Sequence, residues 1–250
     1  MVVVKRREEA EALKRPAQTT VGLTFDVTPY FGVTAANPDD PHPGLGILHP
    51  VAVRIDQRPA TVNAPHYHQA NQFQVFIGGG GTVGKHRVDG VVIHYAHAYT
   101  PYGPLCSGAD GLSYFVLRNS WDPIAQFMPE KRAQLKAAGR RPRAVMSPTL
   151  DPAGGAAPAD VACTPVIELE ADGLAAWRIR APAGAAFTGP APGTGGGQFW
   201  LVLAGTDRAA PAELTPMSCL FVAPDEPPHA GRAGSAGLDV LVLQFPRFAA

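Results

Sequence analysis

The 250-residue sequence lacks a net charge, a cysteine pairing pattern and a long apolar run. Lysine plus arginine and aspartate plus glutamate both total 21, so no excess charge draws the chain to nucleic acid or to a membrane surface. Three cysteines without close spacing (Cys106, Cys163 and Cys219) argue against a disulfide framework and favour a reducing compartment. No segment approaches the roughly eighteen apolar residues of a transmembrane helix, so we expect a cytoplasmic protein.

Glycine and proline are abundant, at 27 and 26 residues, and short apolar runs alternate with turn residues along most of the chain. This pattern is typical of many short strands and predicts an all-β fold of the sandwich or barrel type. Strong helix formers dominate only residues 4–14 and 129–138. The second of these segments has a proline in its first turn and Gly139 just past its end, so it predicts a short interior helix.

Part of the chain is duplicated. Residues 72–79 (QFQVFIGG) match residues 198–205 (QFWLVLAG), an offset of 126. Residues 109–117 match residues 235–243 with the same offset, so about 45 residues keep register without a gap. A repeated β unit explains this match.

The two copies differ at two histidines. His66 and His68 in the first copy correspond to Pro192 and Thr194 in the second. Residues two apart on a strand face the same side, so both imidazoles would point into one cavity. Two imidazoles and an amide oxygen can hold a divalent first-row metal, and we predict His66, His68 and Gln72 as its ligands. The alternatives are that both histidines line a metal-free polar cavity or lie exposed on a loop.

The pattern His-x-His-x3-Gln-x6-Gly resembles the first motif of the cupins, in which glutamate usually stands at the position of Gln72. Their second motif, Pro-x-Gly-x2-His, appears as Pro224–His229 with Glu226 in place of the glycine. The resemblance covers most of the chain and implies two tandem double-stranded β-helix (jelly-roll) barrels, a bicupin, with a short helix between them. The predicted segments are a tail or helix at 1–20, barrel 1 at 21–122, a helix and linker at 123–164, and barrel 2 at 165–250.

The fourth metal ligand that is usual in this family is missing from the first copy. The repeat register places Gly103 at that position, whereas a literal reading of the motif would place Cys106 there. His94 and His97 precede it on a predicted strand, and their opposite parity means that at most one faces the cavity. We keep both, together with Tyr102, as candidates for a fourth ligand or a proton-transfer group.

Two functions follow from these observations. The first is a metal-dependent enzyme that acts on a small organic molecule in barrel 1, with iron, manganese, nickel, zinc or copper. Dioxygenase-like oxidoreductase chemistry is favoured over isomerase or lyase chemistry, because an open two-imidazole metal suits oxygen chemistry. The second is a non-catalytic bicupin that binds a small molecule or has a structural or oligomerisation role. The resemblance also implies a homodimer, and nothing in the sequence points to nucleic acid.

Overall fold

The computed structural model describes residues 1–32, 42–156, 158–209 and 212–248. In chain order the strands are β1 (Val2–Lys5), β2 (Arg15–Gln18), β3 (Thr24–Phe31), β4 (Leu48–Gln57), β5 (Val62–Asn63), β6 (His66–Tyr67), β7 (Gln72–Val83), β8 (His86–Arg87), β9 (Val92–Ala96), β10 (Leu105–Ser120), β11 (Gln126–Phe127), β12 (Ala144–Met146), β13 (Ala162–Ile167), β14 (Ala175–Ala181), β15 (Ala186–Thr188), β16 (Gln198–Ala209), β17 (Ala212–Leu214), β18 (Cys219–Val222) and β19 (Ala230–Gln244). The helices are α1 (Arg7–Glu11), α2 (Arg132–Ala138) and a 3-10 turn at Pro192–Thr194. Within the described ranges, no helix is long and apolar enough to cross a membrane.

The chain divides into two compact units. The first unit is residues 13–150, and the second unit is residues 1–12 together with 151–250. The all-β prediction is confirmed. The predicted barrels at 21–122 and 165–250 fall in separate units, although their residues 33–41, 210–211 and 249–250, and residue 157 of the predicted linker, lie outside the described residues.

The first unit is built on a sheet in the order β12-β9-β7-β10-β4-β3-β2, with β8 beside β7 and β5 beside β10. Strand β10 is central, because it runs antiparallel to both β7 and β4. Its alternate residues Leu112, Tyr114 and Val116 belong to one buried apolar cluster. Arg118 follows at the same parity, so its side chain starts from the same face of the strand.

The second unit repeats this plan with a sheet in the order β1-β18-β16-β19-β14-β13. Strand β16 corresponds to β7, and β19 corresponds to β10. Gly79 and Gly205 occupy the same place in the two units, with φ angles of 67° and 69°. A Cβ at either would lie 2.2 Å or 2.1 Å from the carbonyl oxygen of the glycine on the neighbouring strand, so the repeat retains glycine there for close backbone approach.

The prediction of a tail or helix at 1–20 holds only for the short helix α1. Val2–Lys5 instead forms β1 and pairs with β18, because a run of β-branched valines suits a strand once a tertiary partner is available. Arg15–Gln18 forms β2, and it accommodates Pro16 because β2 is an edge strand that pairs only with β3. Residues 1–20 are therefore not one tail. The interior helix is confirmed as α2, which ends at Gly139 in the left-handed conformation.

Candidate functional site

The structure brings four of the predicted site residues together in the first unit. His66 lies on β6, His68 follows it, and Gln72 begins β7. Backbone hydrogen bonds of 3.1 Å and 3.0 Å pair His66 with Tyr102. The imidazole centroids of His66 and His68 are 5.3 Å apart. Both histidines, Gln72 and Tyr102 line one cavity, as the alternation of a strand predicts.

A directed chain of hydrogen bonds links these side chains. The Arg118 guanidinium donates to Gln72 Oε1 from Nε (2.9 Å) and from Nη2 (2.6 Å). Gln72 Nε2 donates to the Tyr102 hydroxyl oxygen at 2.7 Å. Because His66 Nδ1 lies 2.7 Å from the carbonyl oxygen of Ala64, that nitrogen carries the proton, and His66 Nε2 accepts from the Tyr102 hydroxyl at 3.0 Å. The direction of every hydrogen bond from Arg118 to His66 is thus fixed.

His68 is held by a buried carboxylate. Its Nδ1 donates to Asp122 Oδ2 at 2.6 Å. The other oxygen, Asp122 Oδ1, accepts the backbone N–H groups of Gln69 (2.7 Å) and Ala70 (3.1 Å). Arg118 Nη2 lies 3.2 Å from His68 Nδ1 and 3.3 Å from His68 Nε2, so the guanidinium lies against the imidazole ring and is not directed at either nitrogen.

Burial sets the protonation states of this cluster. It lowers the pKa of His66 to about 3, with a further contribution from His68. Burial and the charge of Arg118 lower the pKa of His68. Burial alone would raise the pKa of Asp122, but its interactions with His68 and Arg118 and its hydrogen bond from the Gln69 backbone outweigh it and hold that pKa to about 2. At neutral pH, Arg118 and Asp122 are the charged members, and both imidazoles are neutral.

His94 and His97 do not line the cavity. The expectation that one of them could face it is therefore corrected. His94 is buried behind Tyr102, with ring centroids 5.1 Å apart, and its Nδ1 lies 2.8 Å from Gln74 Oε1. His97 Nδ1 lies 3.1 Å from the hydroxyl of Tyr95. The Tyr102 ring takes the inward position that the parity argument left open for one of these histidines.

The cavity has a volume of about 920 Å³ and two kinds of wall. The charged and polar cluster described above forms one part of it. Aliphatic and aromatic side chains form another, namely Phe25, Val27, Val53, Ile55, Tyr114 and Val116. A cavity of this size, mostly apolar with a few convergent polar groups, is typical of a small-molecule site.

Comparison with solved structures establishes the fold. The chain is similar to the bacterial pirin YhhW of Escherichia coli in complex with nickel(II), at a TM-score of 0.62 and 12% identity, over 99% of this chain and 100% of that one. The chain has the bicupin fold. Similarity extends to an 11S globulin of Wrightia tinctoria that has an auxin binding site, at a TM-score of 0.57 and 10% identity, over 100% of this chain and 84% of that one.

A further bicupin neighbour is the oxalate decarboxylase of Bacillus subtilis, which has Mn(II) centres. It matches at a TM-score of 0.51 and 11% identity, over 100% of this chain and 78% of that one. No protein-family model matches the sequence, and no curated protein matches it at a significant level. At these identities the similarity establishes the fold, and the chemistry has to be argued from the site itself.

Arg118 and Asp122 are not among the site residues predicted from the sequence. One signal was available for Arg118, because the repeat offset of 126 aligns it with Gln244. In the second unit of the bicupin, Gln244 Oε1 accepts from Gln198 Nε2 at 2.9 Å, and Gln244 Nε2 donates to Thr194 Oγ1 at 2.9 Å. Equivalent positions therefore form a hydrogen-bonded group in both units. This group is neutral in the second unit (Thr194, Gln198 and Gln244) and cationic in the first (His68, Gln72 and Arg118).

The second unit has different side chains at the corresponding positions. Trp200 stands at the position of Gln74, is 2% exposed and belongs to the apolar cluster of that unit. His229, the histidine of the second cupin motif, hydrogen-bonds Asp207 through Nε2 at 2.8 Å. The large cavity and the Arg118–Asp122 cluster thus occur together in the first unit, which makes this unit the candidate site.

The residues of the first unit do not fit a first-row metal ion. Both imidazoles do have Nδ1 held by an acceptor, as metal-bound histidines do. However, Gln72 Oε1 already accepts two hydrogen bonds from Arg118, whose positive charge lies beside His68 Nε2. In the part of the chain that is described, no three His, Cys, Asp or Glu side chains are grouped to hold a metal. A divalent ion would have to share this space with a guanidinium.

Proposed function

We propose that the first unit binds a small organic anion, such as a carboxylate, without a metal ion, and that Arg118 holds the anionic group. The observation that carries the proposal is a half-buried guanidinium at the polar wall of the cavity, paired with a neutral amide. Its Nη1 makes no hydrogen bond to any described residue, so two N–H donors remain for a ligand. Guanidinium groups bind carboxylates through such paired donors.

Asp122 does not occupy the guanidinium donors of Arg118 that the ligand would use. One of its oxygens is bonded to two backbone N–H groups, and the other is bonded to His68, which lies between Asp122 and the guanidinium. The Asp122 charge offsets part of the cost of burying Arg118. It leaves the cavity-facing donors of Arg118 unpaired.

The apolar wall indicates what accompanies the anionic group. Val27, Val53 and Val116 lie on neighbouring strands and present a continuous aliphatic surface to the cavity. An organic acid with a hydrocarbon body would bury that body here, at about 25 cal/mol for each Å² removed from water. Inorganic anions would gain nothing from this wall.

This proposal corresponds to the small-molecule-binding form of the bicupin hypothesis. Metal-dependent enzyme activity, with oxidoreductase chemistry favoured, stays a prediction, and the donor set described above speaks against it. A cytoplasmic location, a homodimer and the absence of nucleic-acid and membrane partners also stay predictions.

Isothermal titration in a chelating buffer tests the proposal. Octanoate and octanamide have the same length and differ in charge, so we expect octanoate to bind at least about tenfold more tightly, as one charge-assisted hydrogen bond provides. The same titration after addition of nickel(II) or manganese(II) should give the same affinity. Equal affinity for the two compounds, or binding of octanoate only in the presence of metal, would contradict the proposal.

A further inference from the structure

Two buried acceptors in the same cavity lead to a narrower ligand class. We infer that the ligand is an elongated organic acid with a hydroxyl or N–H donor at the end remote from its carboxylate. This inference rests on the proposed function, because Arg118 fixes which end of the molecule is the acid. It adds a second recognition point formed by Gln57 and Asn63, which both line the cavity.

Gln57 has a carbonyl oxygen without a partner. The residue is 3% exposed, and its Nε2 donates to the carbonyl oxygens of Thr61 (3.1 Å) and Leu105 (3.2 Å). These two bonds fix which way the amide is turned, so the oxygen cannot be exchanged for the nitrogen. Gln57 Oε1 is buried and has no hydrogen bond to the described residues. It is therefore an unpaired acceptor on a residue that lines the cavity.

Asn63 presents a second acceptor of the same kind. Its Oδ1 is also buried and has no hydrogen-bond partner among the described residues. Its side chain hydrogen-bonds Tyr114. Burial raises the pKa of Tyr114, and this hydrogen bond offsets part of that rise. Buried amide oxygens are hydrogen-bonded in most native structures, so two orphan acceptors beside one cavity indicate a missing donor.

Strand register places this acceptor pair far from the guanidinium. Gln57 lies opposite Leu112 on β10, and Asn63 lies opposite Leu105. Arg118 is six positions after Leu112 on β10, which corresponds to a Cα distance of roughly 20 Å in an extended strand. The apolar wall lies between these two levels. Only an elongated molecule with a hydrocarbon middle can contact both polar ends.

The second unit shows that the fold does not need these amides. Leu238 corresponds to Leu112 in the repeat, and the residue opposite it on β14 is Ala181. Gly231 corresponds to Leu105, and the residue opposite it on β15 is Phe187. Both Ala181 and Phe187 are buried in the apolar cluster of the second unit. Polar acceptors occur at these two positions only in the unit that has the large cavity, which favours a ligand role over a folding role.

The test is a titration series with hexanoate, octanoate and decanoate against their ω-hydroxy counterparts. In the wild-type protein the hydroxyl should raise affinity about tenfold at one favoured chain length and little at the others. In Gln57→Met, which keeps the side-chain length without an acceptor, this gain should fall below about twofold. The comparison is made within each variant, between an acid and its ω-hydroxy counterpart, so a general loss of affinity caused by removal of the two Gln57 Nε2 hydrogen bonds cancels.

The possible failures can be told apart. If the plain acids bind and the hydroxyl never helps, the two acceptors serve water, and the inference is overturned while the proposed function stands. If the hydroxyl helps equally in Gln57→Met and in Asn63→Ala, the donor binds elsewhere, and the inference is again overturned. If none of the acids binds, the proposed function fails and takes this inference with it.

Discussion

Replacement of Arg118 by glutamine is the perturbation whose outcome the structure specifies most fully. The second unit already contains this arrangement, because Gln244 stands at the equivalent position and bonds to Gln198. Arg118→Gln should therefore keep a hydrogen bond to Gln72 and remove only the charge and the second donor. We expect the free energy of unfolding in urea to change by no more than about 1 kcal/mol.

The effect on binding should be much larger. A hydrogen bond to a charged group contributes about 1.5–3 kcal/mol, which corresponds to roughly a 10- to 150-fold loss of octanoate affinity in Arg118→Gln. The octanoate affinity of Arg118→Lys should lie between those of Arg118→Gln and the wild type, because lysine retains the charge without the paired donors. Arg87→Gln is the matched control. The Arg87 side chain is 82% exposed and lies outside the cavity, so the substitution removes the same charge without touching the site.

Isothermal titration and urea denaturation of these three variants decide the matter. Octanoate affinity that is unchanged in Arg118→Gln, with the protein folded, would refute the assignment of Arg118 as the anion-binding group. An equal loss of affinity in Arg87→Gln would also refute it, because the effect would then be a long-range one of net charge.

Other predictions concern protonation and stability. His66 and His94 have folded pKa values of about 3 and about 4, below the unfolded value of about 6.5, so acid favours the unfolded state. The unfolding free energy should fall by about 2 kcal/mol per imidazole between pH 7 and pH 5, and a flat urea profile over that interval would contradict this. Asp122→Asn should cost about 3 kcal/mol in the same assay, because the amide cannot accept hydrogen bonds from both His68 and the backbone N–H groups of Gln69 and Ala70, whereas a loss near zero would show that the carboxylate is dispensable. In Arg118→Gln, NMR titration should find the pKa of His68 higher than in the wild type, since Arg118 contributes to lowering it, and an unchanged or lower value would contradict this electrostatic account.

Local pattern was enough to predict much of the fold and part of the site. The offset of 126 identified the repeat, and the parity of His66 and His68 placed both imidazoles in one cavity. The repeat needs only a comparison of the sequence with itself, and the two histidines are close in sequence, so strand periodicity is a sufficient guide to their placement.

The remainder depends on contacts between distant residues. Arg118 and Gln72 are 46 residues apart, and Asp122 and His68 are 54 residues apart, so these contacts require the register of separate strands and loops. Val2–Lys5 forms a strand only because β18 is available to pair with it. Arg118 and Asp122 change the interpretation of the predicted metal ligands, and the sequence pattern does not show that these two residues lie beside them.

A crystal structure of the protein grown with octanoate in a metal-containing buffer tests the central claim most directly. We expect the carboxylate oxygens within hydrogen-bond distance of Arg118 Nη1 and the hydrocarbon chain against Val53 and Val116. A metal ion bound by His66 and His68, with Arg118 turned away and the carboxylate on the metal, would contradict the account.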